Sequence, residues 1–139
     1  MVCQIGFGGW QVGGERFVGD KACGWRVGDI KECEGLVERA IDLGISFFDT
    51  AQAYGDGRSE KILGNAINRS GNRKNLTVCT KISVTSILGS NSTKASLLKR
   101  LVLKSLINLG VDYIDVLLLH NPSRSELTLD LKSSLESLV

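Results

Sequence analysis

The sequence has 139 residues, the size of one folding unit, with 42% hydrophobic and 23% charged residues. That balance excludes a disordered tail, a collagen-like repeat and a disulfide-dense miniprotein. The formal charge of +2, from 17 basic and 15 acidic residues, includes no basic block able to follow a phosphate backbone, so no nucleic-acid partner is expected.

The longest unbroken apolar run, Val116 to Leu119, is far short of the roughly 20 residues a membrane-spanning helix needs. No membrane segment is expected. The opening MVCQIGFGGW has neither a basic n-region nor an apolar h-region, which predicts no secretory signal and a cytoplasmic setting. Cys3, Cys23, Cys33 and Cys79 form no Cys-x-x-Cys pair, so free, buried thiols are expected in place of a metal site. In that setting the sequons at Asn68, Asn75 and Asn91 are chance matches.

The predicted elements alternate. A first strand spans Gln4 to Gly8 and leads into a Gly-rich stretch to Gly28. Asp29, with Glu32 three residues on, has the pattern of a capping box. The helix it opens gathers Cys33, Leu36, Val37, Ala40 and Ile41 on one face and stops at Gly44. Ile45 to Phe48 is a β-forming run without polar alternation, as in a strand covered on both faces, and it ends at Asp49. A second helix starts near Ser59, buries Ile62, Leu63, Ala66 and Ile67, and gives way to a turn over 69–75. A strand from Leu76 to Thr80 ends at Lys81. The third helix runs from Thr93 to Leu109, with Leu97, Leu98, Leu101, Val102 and Leu106 inward and Gly110 as its stop. A strand from Ile114 to Leu119 ends at His120, Pro122 halts it, and Leu127, Leu131, Leu135 and Leu138 mark a fourth helix.

Strand and helix in alternation predict a parallel α/β protein. An open doubly wound sheet and part of a (β/α)8 barrel both fit. The dinucleotide fingerprint fails, because Gln11 stands where the third glycine belongs, and the Gly14 to Gly19 spacing has Asp20 where a P-loop needs lysine. The usual doubly wound nucleotide fold is disfavoured accordingly.

Asp49, Lys81 and His120 follow three successive predicted strands, and Tyr54 lies in the loop after Asp49. Taken singly they read as a turn-forming carboxylate, a solvated amine, a hydrogen-bonded loop histidine and a half-buried packing phenol. Sites in parallel α/β folds gather at the carboxyl ends of strands, so together the four form a constellation. Their chemistry suits carbonyl reduction. A phenol with an ordinary pKa near 10 donates protons poorly at neutral pH, and a drop of about three units requires roughly 4 kcal/mol of preferential stabilisation of the phenolate. A lysine ammonium, held charged by a carboxylate, supplies it. A histidine donates to the substrate oxygen and sets its angle. None of these residues provides a hydride, so a reducing cofactor is required.

The strings Phe47-Phe-Asp-Thr-Ala-Gln-Ala-Tyr-Gly-Asp-Gly-Arg-Ser-Glu60, Thr80-Lys81 and Leu106-Ile-Asn-Leu-Gly-Val-Asp-Tyr-Ile-Asp-Val-Leu-Leu-Leu-His-Asn-Pro122 closely resemble the aldo/keto reductases. Ile5-Gly-Phe-Gly-Gly-Trp-Gln11 is similar to that family's first barrel strand. The resemblance covers essentially the whole chain. It implies a (β/α)8 barrel in place of the open sheet, NADP(H) bound without a Rossmann domain, and reduction of a small-molecule aldehyde or ketone. It places the catalytic tetrad on Asp49, Tyr54, Lys81 and His120, and the nicotinamide end of the cofactor near Gly9, Trp10 and Asp49. Trp10 and Trp25 are candidates for an apolar wall at the barrel mouth, although Trp25 could equally cap the mouth without touching substrate.

A (β/α)8 barrel needs about 250 residues, and only its first four βα units are expected within residues 1–139. The family's floor-plugging hairpin is not expected before the first strand. The later strands, with the groups for the nicotinamide amide and the adenosine phosphate, are not expected either. A half barrel exposes two strand edges, which predicts self-association. A truncated reductase segment is the first expectation, and a non-catalytic scaffold or regulatory subunit the second.

Overall fold

The computed structural model describes residues 5–83 and 93–138. Gln4, Cys3 and the Asn91 sequon lie outside these. Four parallel strands form one sheet: β1 (Phe7–Gly8), β4 (Phe47–Asp49), β5 (Thr77–Ser83) and β6 (Val116–His120), in the order β1-β4-β5-β6. A separate antiparallel hairpin joins β2 (Arg16–Val18) to β3 (Lys21–Cys23). The helices are α1 (Ile30–Asp42), α2 (Arg58–Ser70), α3 (Lys94–Leu109) and α4 (Leu129–Glu136).

The predicted capping box forms as expected: Glu32 N–H donates to Asp29 Oδ1 at 2.8 Å, and Asp29 N–H donates to Glu32 Oε2 at 3.2 Å. Predicted stops also hold, with Gly44 and Gly110 at positive φ values of 86° and 61° just past the ends of α1 and α3. Several strand bounds differ from expectation; β1 begins only at Phe7 and β5 at Thr77. β4 starts at Phe47 because Ile45 N–H turns back to Ala40 O at the end of α1, 3.0 Å away. β6 starts at Val116 because the Asp115 carboxylate, not a backbone carbonyl, accepts from Val78 N–H at 2.8 Å. β5 continues to Ser83, since its register with β6 runs from Cys79 opposite Val116 to Ser83 opposite His120. Lys81 therefore lies inside its strand and not after it. The Gly-rich stretch also contains the β2–β3 hairpin, whose two-residue turn begins at Gly19 with φ +60°, the sign such turns require.

The sheet has two unlike faces. Phe48, Val78 and Ile82 are fully buried under the helices, in two apolar clusters centred on α1–α2 and on α3–α4. Alternation sends Phe47, Asp49, Lys81, Leu118 and His120 to the opposite face, where Phe47 and Leu118 are 38% and 43% exposed. The expectation that the Ile45–Phe48 run is covered on both faces is thus corrected, because the described helices cover only one. Neighbours in sequence are neighbours in the sheet and the helices share one side. A doubly wound sheet would reverse its order and place helices on both sides, so this is an arc of a barrel.

Two polar or close contacts fix the helix layer. At Gly64 a Cβ would run into the backbone of Leu109, so α2 and α3 touch there through a residue without a side chain. Glu60 is fully buried and accepts from Thr80 Oγ1 of β5 at 2.7 Å and from Asn108 Nδ2 of α3 at 2.8 Å. Glu60→Ala leaves both donors without this acceptor and opens a void, so a loss of about 3 kcal/mol is expected. Urea denaturation checks this; a loss below about 1 kcal/mol would show that Glu60 does not tie the three elements together.

Candidate active site

The carboxyl ends of the strands are brought together by a short hydrogen-bonded hub. Gly9 N–H donates to Asp49 O at 2.7 Å, and a Cβ on Gly9 would lie 2.7 Å from Ser59 Oγ and 2.8 Å from Asp49 O. Only glycine lets β1 and β4 converge so closely. Ser59 Oγ donates to Gly9 O at 2.7 Å, so its one proton is used, and Thr50 Oγ1 must be the donor in the 2.8 Å contact with Ser59 Oγ. The first turn of α2 is thereby pinned to both strand ends.

The loop after Asp49 follows the edge of β5. Thr50 N–H bonds to Cys79 O at 2.8 Å and Gln52 N–H to Lys81 O at 3.2 Å. The Gln52 side-chain amide reaches α3, donating to Leu101 O at 2.5 Å and to Ser105 Oγ at 2.8 Å. Gly55, Asp56 and Gly57 then take positive φ values of 58°, 52° and 88° in succession, reversing the chain into α2. At Gly55 a Cβ would also strike Gly13 O. This sharp reversal leaves Tyr54 above the end of β5.

Lys81 Nζ is the centre of the site. It donates to both carboxylate oxygens of Asp49 at 2.6 Å, to Thr50 O at 2.9 Å and to Tyr54 Oη at 3.2 Å. Burial pulls the pKa of Lys81 down, but the bonds to Asp49 and Tyr54 outweigh it and the net shift is upward. His120, the last residue of β6, meets the Tyr54 ring edge-on, with centroids 5.5 Å apart. Its pKa is lowered, first by burial and then by the charge of Lys81, so the ring is neutral at neutral pH and carries one N–H donor and one acceptor. Beneath the pair, the buried Cys79 thiol is pushed up to about 11 by burial and by Asp49, which keeps it protonated and poorly nucleophilic.

Trp10 stacks on Tyr54 with centroids 6.0 Å apart, and Trp25 packs against Trp10 edge-on at 4.6 Å. A cleft of about 570 Å³ opens here, lined by Trp10, Arg16, Cys23, Ala53, Tyr54, Ser83, His120 and Asn121. Trp25 backs Trp10 and does not line the cleft. The structure thus brings Asp49, Tyr54, Lys81, His120 and Trp10 into one neighbourhood, and gives Gly9 a buried place between strands. Sequence reasoning missed Arg16 and Cys23, which reach the cleft only because the hairpin folds over it. Alternation signals were present in neither three-residue strand.

A barrel arc with ionisable side chains converging at the carboxyl-terminal part of its strands defines an enzyme-like site of the (β/α)8 class. Within that class, the aldo/keto reductase family model matches residues 4–139, and the chain belongs to this family. YhdN, an aldo-keto reductase of Bacillus subtilis, is 34% identical over 122 residues, covering 86% of this chain and 34% of that protein. A protein named "Probable voltage-gated potassium channel subunit beta" from Arabidopsis thaliana is 31% identical over 129 residues, covering 89% of this chain and 35% of its own length. A crystal structure of an aldo-keto reductase from Klebsiella pneumoniae in complex with NADPH superposes with a TM-score of 0.70 at 27% identity, covering 96% of this chain and 40% of that one. The chain therefore spans about a third of the length of the curated relatives it matches. No helix among the described residues is long and apolar enough to cross a membrane.

Proposed function

We propose that residues 1–139 are the amino-terminal part of an aldo/keto reductase domain in the cytoplasm, carrying the proton-donating half of a site that reduces an aldehyde or ketone with NADPH. The observation that supports this best is the single ammonium, Lys81 Nζ, hydrogen-bonded at once to Asp49 and to Tyr54 Oη. Tyr54 gives its phenolic proton to the substrate oxygen, and the phenolate left behind is stabilised by Lys81. Asp49 fixes the ammonium in position. Neutral His120 donates its N–H to the same oxygen and sets the carbonyl angle.

NADPH, when bound, supplies the hydride to the carbonyl carbon. The residues present fit its nicotinamide end: Trp10 is 45% exposed beside Tyr54, and the Asp49 side chain is 32% exposed on the open face of the sheet. Gly9 serves that end through the backbone approach it permits. By family resemblance the adenosine phosphate is held by strands beyond the fourth. The 139-residue chain is accordingly expected to oxidise NADPH with a simple aldehyde, but to half-saturate well above micromolar NADPH. Loss of reduced-nicotinamide absorbance measures both. No aldehyde-dependent loss at saturating NADPH would contradict the reductase reading, and micromolar affinity for the monomer would contradict the incomplete cofactor site.

A second reading, a non-catalytic scaffold or regulatory subunit, is favoured by the exposed Phe47 and Leu118 on the uncovered sheet face and by the edges at β1 and β6. It predicts a stable assembly without NADPH consumption. Two half barrels closed on each other would elute near 30 kDa, twice the 15.0 kDa of one chain.

A further inference from the structure

The cleft holds one cation that the proposed reduction does not use. Arg16 enters from β2 and reaches across to the loop of Tyr54, where Nη1 donates to Ala53 O at 3.0 Å and approaches Asp56 Oδ1 at 3.4 Å. Both contacts come from one nitrogen. Among the described residues, Nε and Nη2 have no hydrogen-bond acceptor, and the side chain is 32% exposed where it lines the cleft with Tyr54 and His120. Lys81 is matched by Asp49 at 2.6 Å through both carboxylate oxygens, whereas the partner of Arg16 is a single, longer contact to a carboxylate 84% exposed. Among the described residues, no acidic side chain lines the cleft. The charge on the described lining is therefore positive, only weakly offset by Asp56, and sits on a planar group whose Nε and Nη2 have no acceptor among the described residues, the geometry that pairs with a carboxylate.

We propose that Arg16 is a specificity-determining residue and that the cleft takes a carbonyl compound that also bears a carboxylate. The guanidinium pairs with the carboxylate while the carbonyl oxygen lies toward Tyr54 and His120. This rests on the reductase reading for the role of Tyr54, but the binding preference can be read without turnover. Trp10 and Trp25 are the only tryptophans of the chain and stand together at the cleft, so their fluorescence reports its occupancy.

The test compares binding of para-carboxybenzaldehyde and its uncharged methyl ester, without cofactor, by tryptophan quenching. The wild-type chain is expected to prefer the acid by about tenfold or more, the scale of a charge-assisted hydrogen bond. The preference should fall to about one in Arg16→Met. It should rise in Asp56→Asn, which removes the competing carboxylate at a left-handed position that asparagine tolerates. Equal binding of acid and ester, no binding of either, or a preference that survives Arg16→Met overturns the proposal. Should Arg16→Met fail to fold, an unchanged preference in Asp56→Asn overturns it instead. If Arg16→Met weakens NADPH and leaves the acid preference intact, the guanidinium belongs to the cofactor and the proposal is wrong. Preference for the acid without NADPH oxidation would leave Arg16 standing and remove the reductase reading, while oxidation without preference does the reverse.

Discussion

Tyr54→Phe is expected to lower aldehyde reduction by about 10²- to 10⁴-fold, the contribution of a positioned general acid. The ring is held by groups that phenylalanine keeps: Trp10 stacks on its face, His120 meets it edge-on, and Lys81 Nζ lies 4.8 Å from its centroid. Only the hydroxyl at 3.2 Å from Nζ is lost. Stability should therefore change little, and the loss should fall on kcat, because the phenolic proton matters most as charge develops on the substrate oxygen. Steady-state kinetics of the two proteins, with unfolding curves as control, decide this. A variant with undiminished kcat would assign the proton to another donor.

Lys81→Met has the second large effect and separates two roles. It removes the donor to the Tyr54 oxygen, for which a loss on the order of 10²- to 10³-fold in kcat is expected. It also strands the Asp49 carboxylate. Lys81 is 15% and Asp49 32% exposed in their side chains, between a surface and a buried pair, so the stability loss should be about 2 kcal/mol. Pairing the change with Asp49→Asn removes the stranded charge, and the double variant should regain stability without regaining activity. Recovery of both would mean that the ion pair is structural only. The pH dependence has a definite sign. The folded pKa of Lys81 is raised above 10.5, so its contribution is complete below that value and is lost as pH rises through the folded one. His120 acts in the opposite range, since its folded pKa is lowered from 6.5. Its share of stability is intact above 6.5 and is lost as pH falls from there through the folded value.

What could be read from the sequence was what is local. The Asp29–Glu32 capping box, the stops at Gly44 and Gly110, and the apolar face of α2 depend on spacing within one element; on α1 the same spacing put Leu36 on the buried face, where the structure leaves it 60% exposed. The neighbourhood of Asp49, Lys81 and His120 followed from one topological rule, that parallel strands end on the same side. Lys81 was misplaced relative to its strand because the length of β5 is decided by its partner: five residue pairs with β6 carry it to Ser83. Glu60 reads as an ordinary polar position on a helix, and its burial depends on where Thr80 and Asn108 come to lie. Arg16 was equally hidden, since its nearest partners are 37 and 40 positions away in sequence. Pairwise tertiary contacts of this kind leave no periodic signature.

The proposed reaction moves a hydride and a proton to a carbonyl group, with the proton coming from Tyr54. Incubating the chain with an aldehyde and NADPH deuterated at the nicotinamide reducing carbon tests it directly, because product accumulates even when the cofactor is held weakly. Mass spectrometry should find alcohol with one deuterium on the former carbonyl carbon, formed by the wild-type chain and almost absent with Tyr54→Phe. Alcohol without deuterium, no alcohol at all, or labelled alcohol formed equally well by Tyr54→Phe would contradict that reaction.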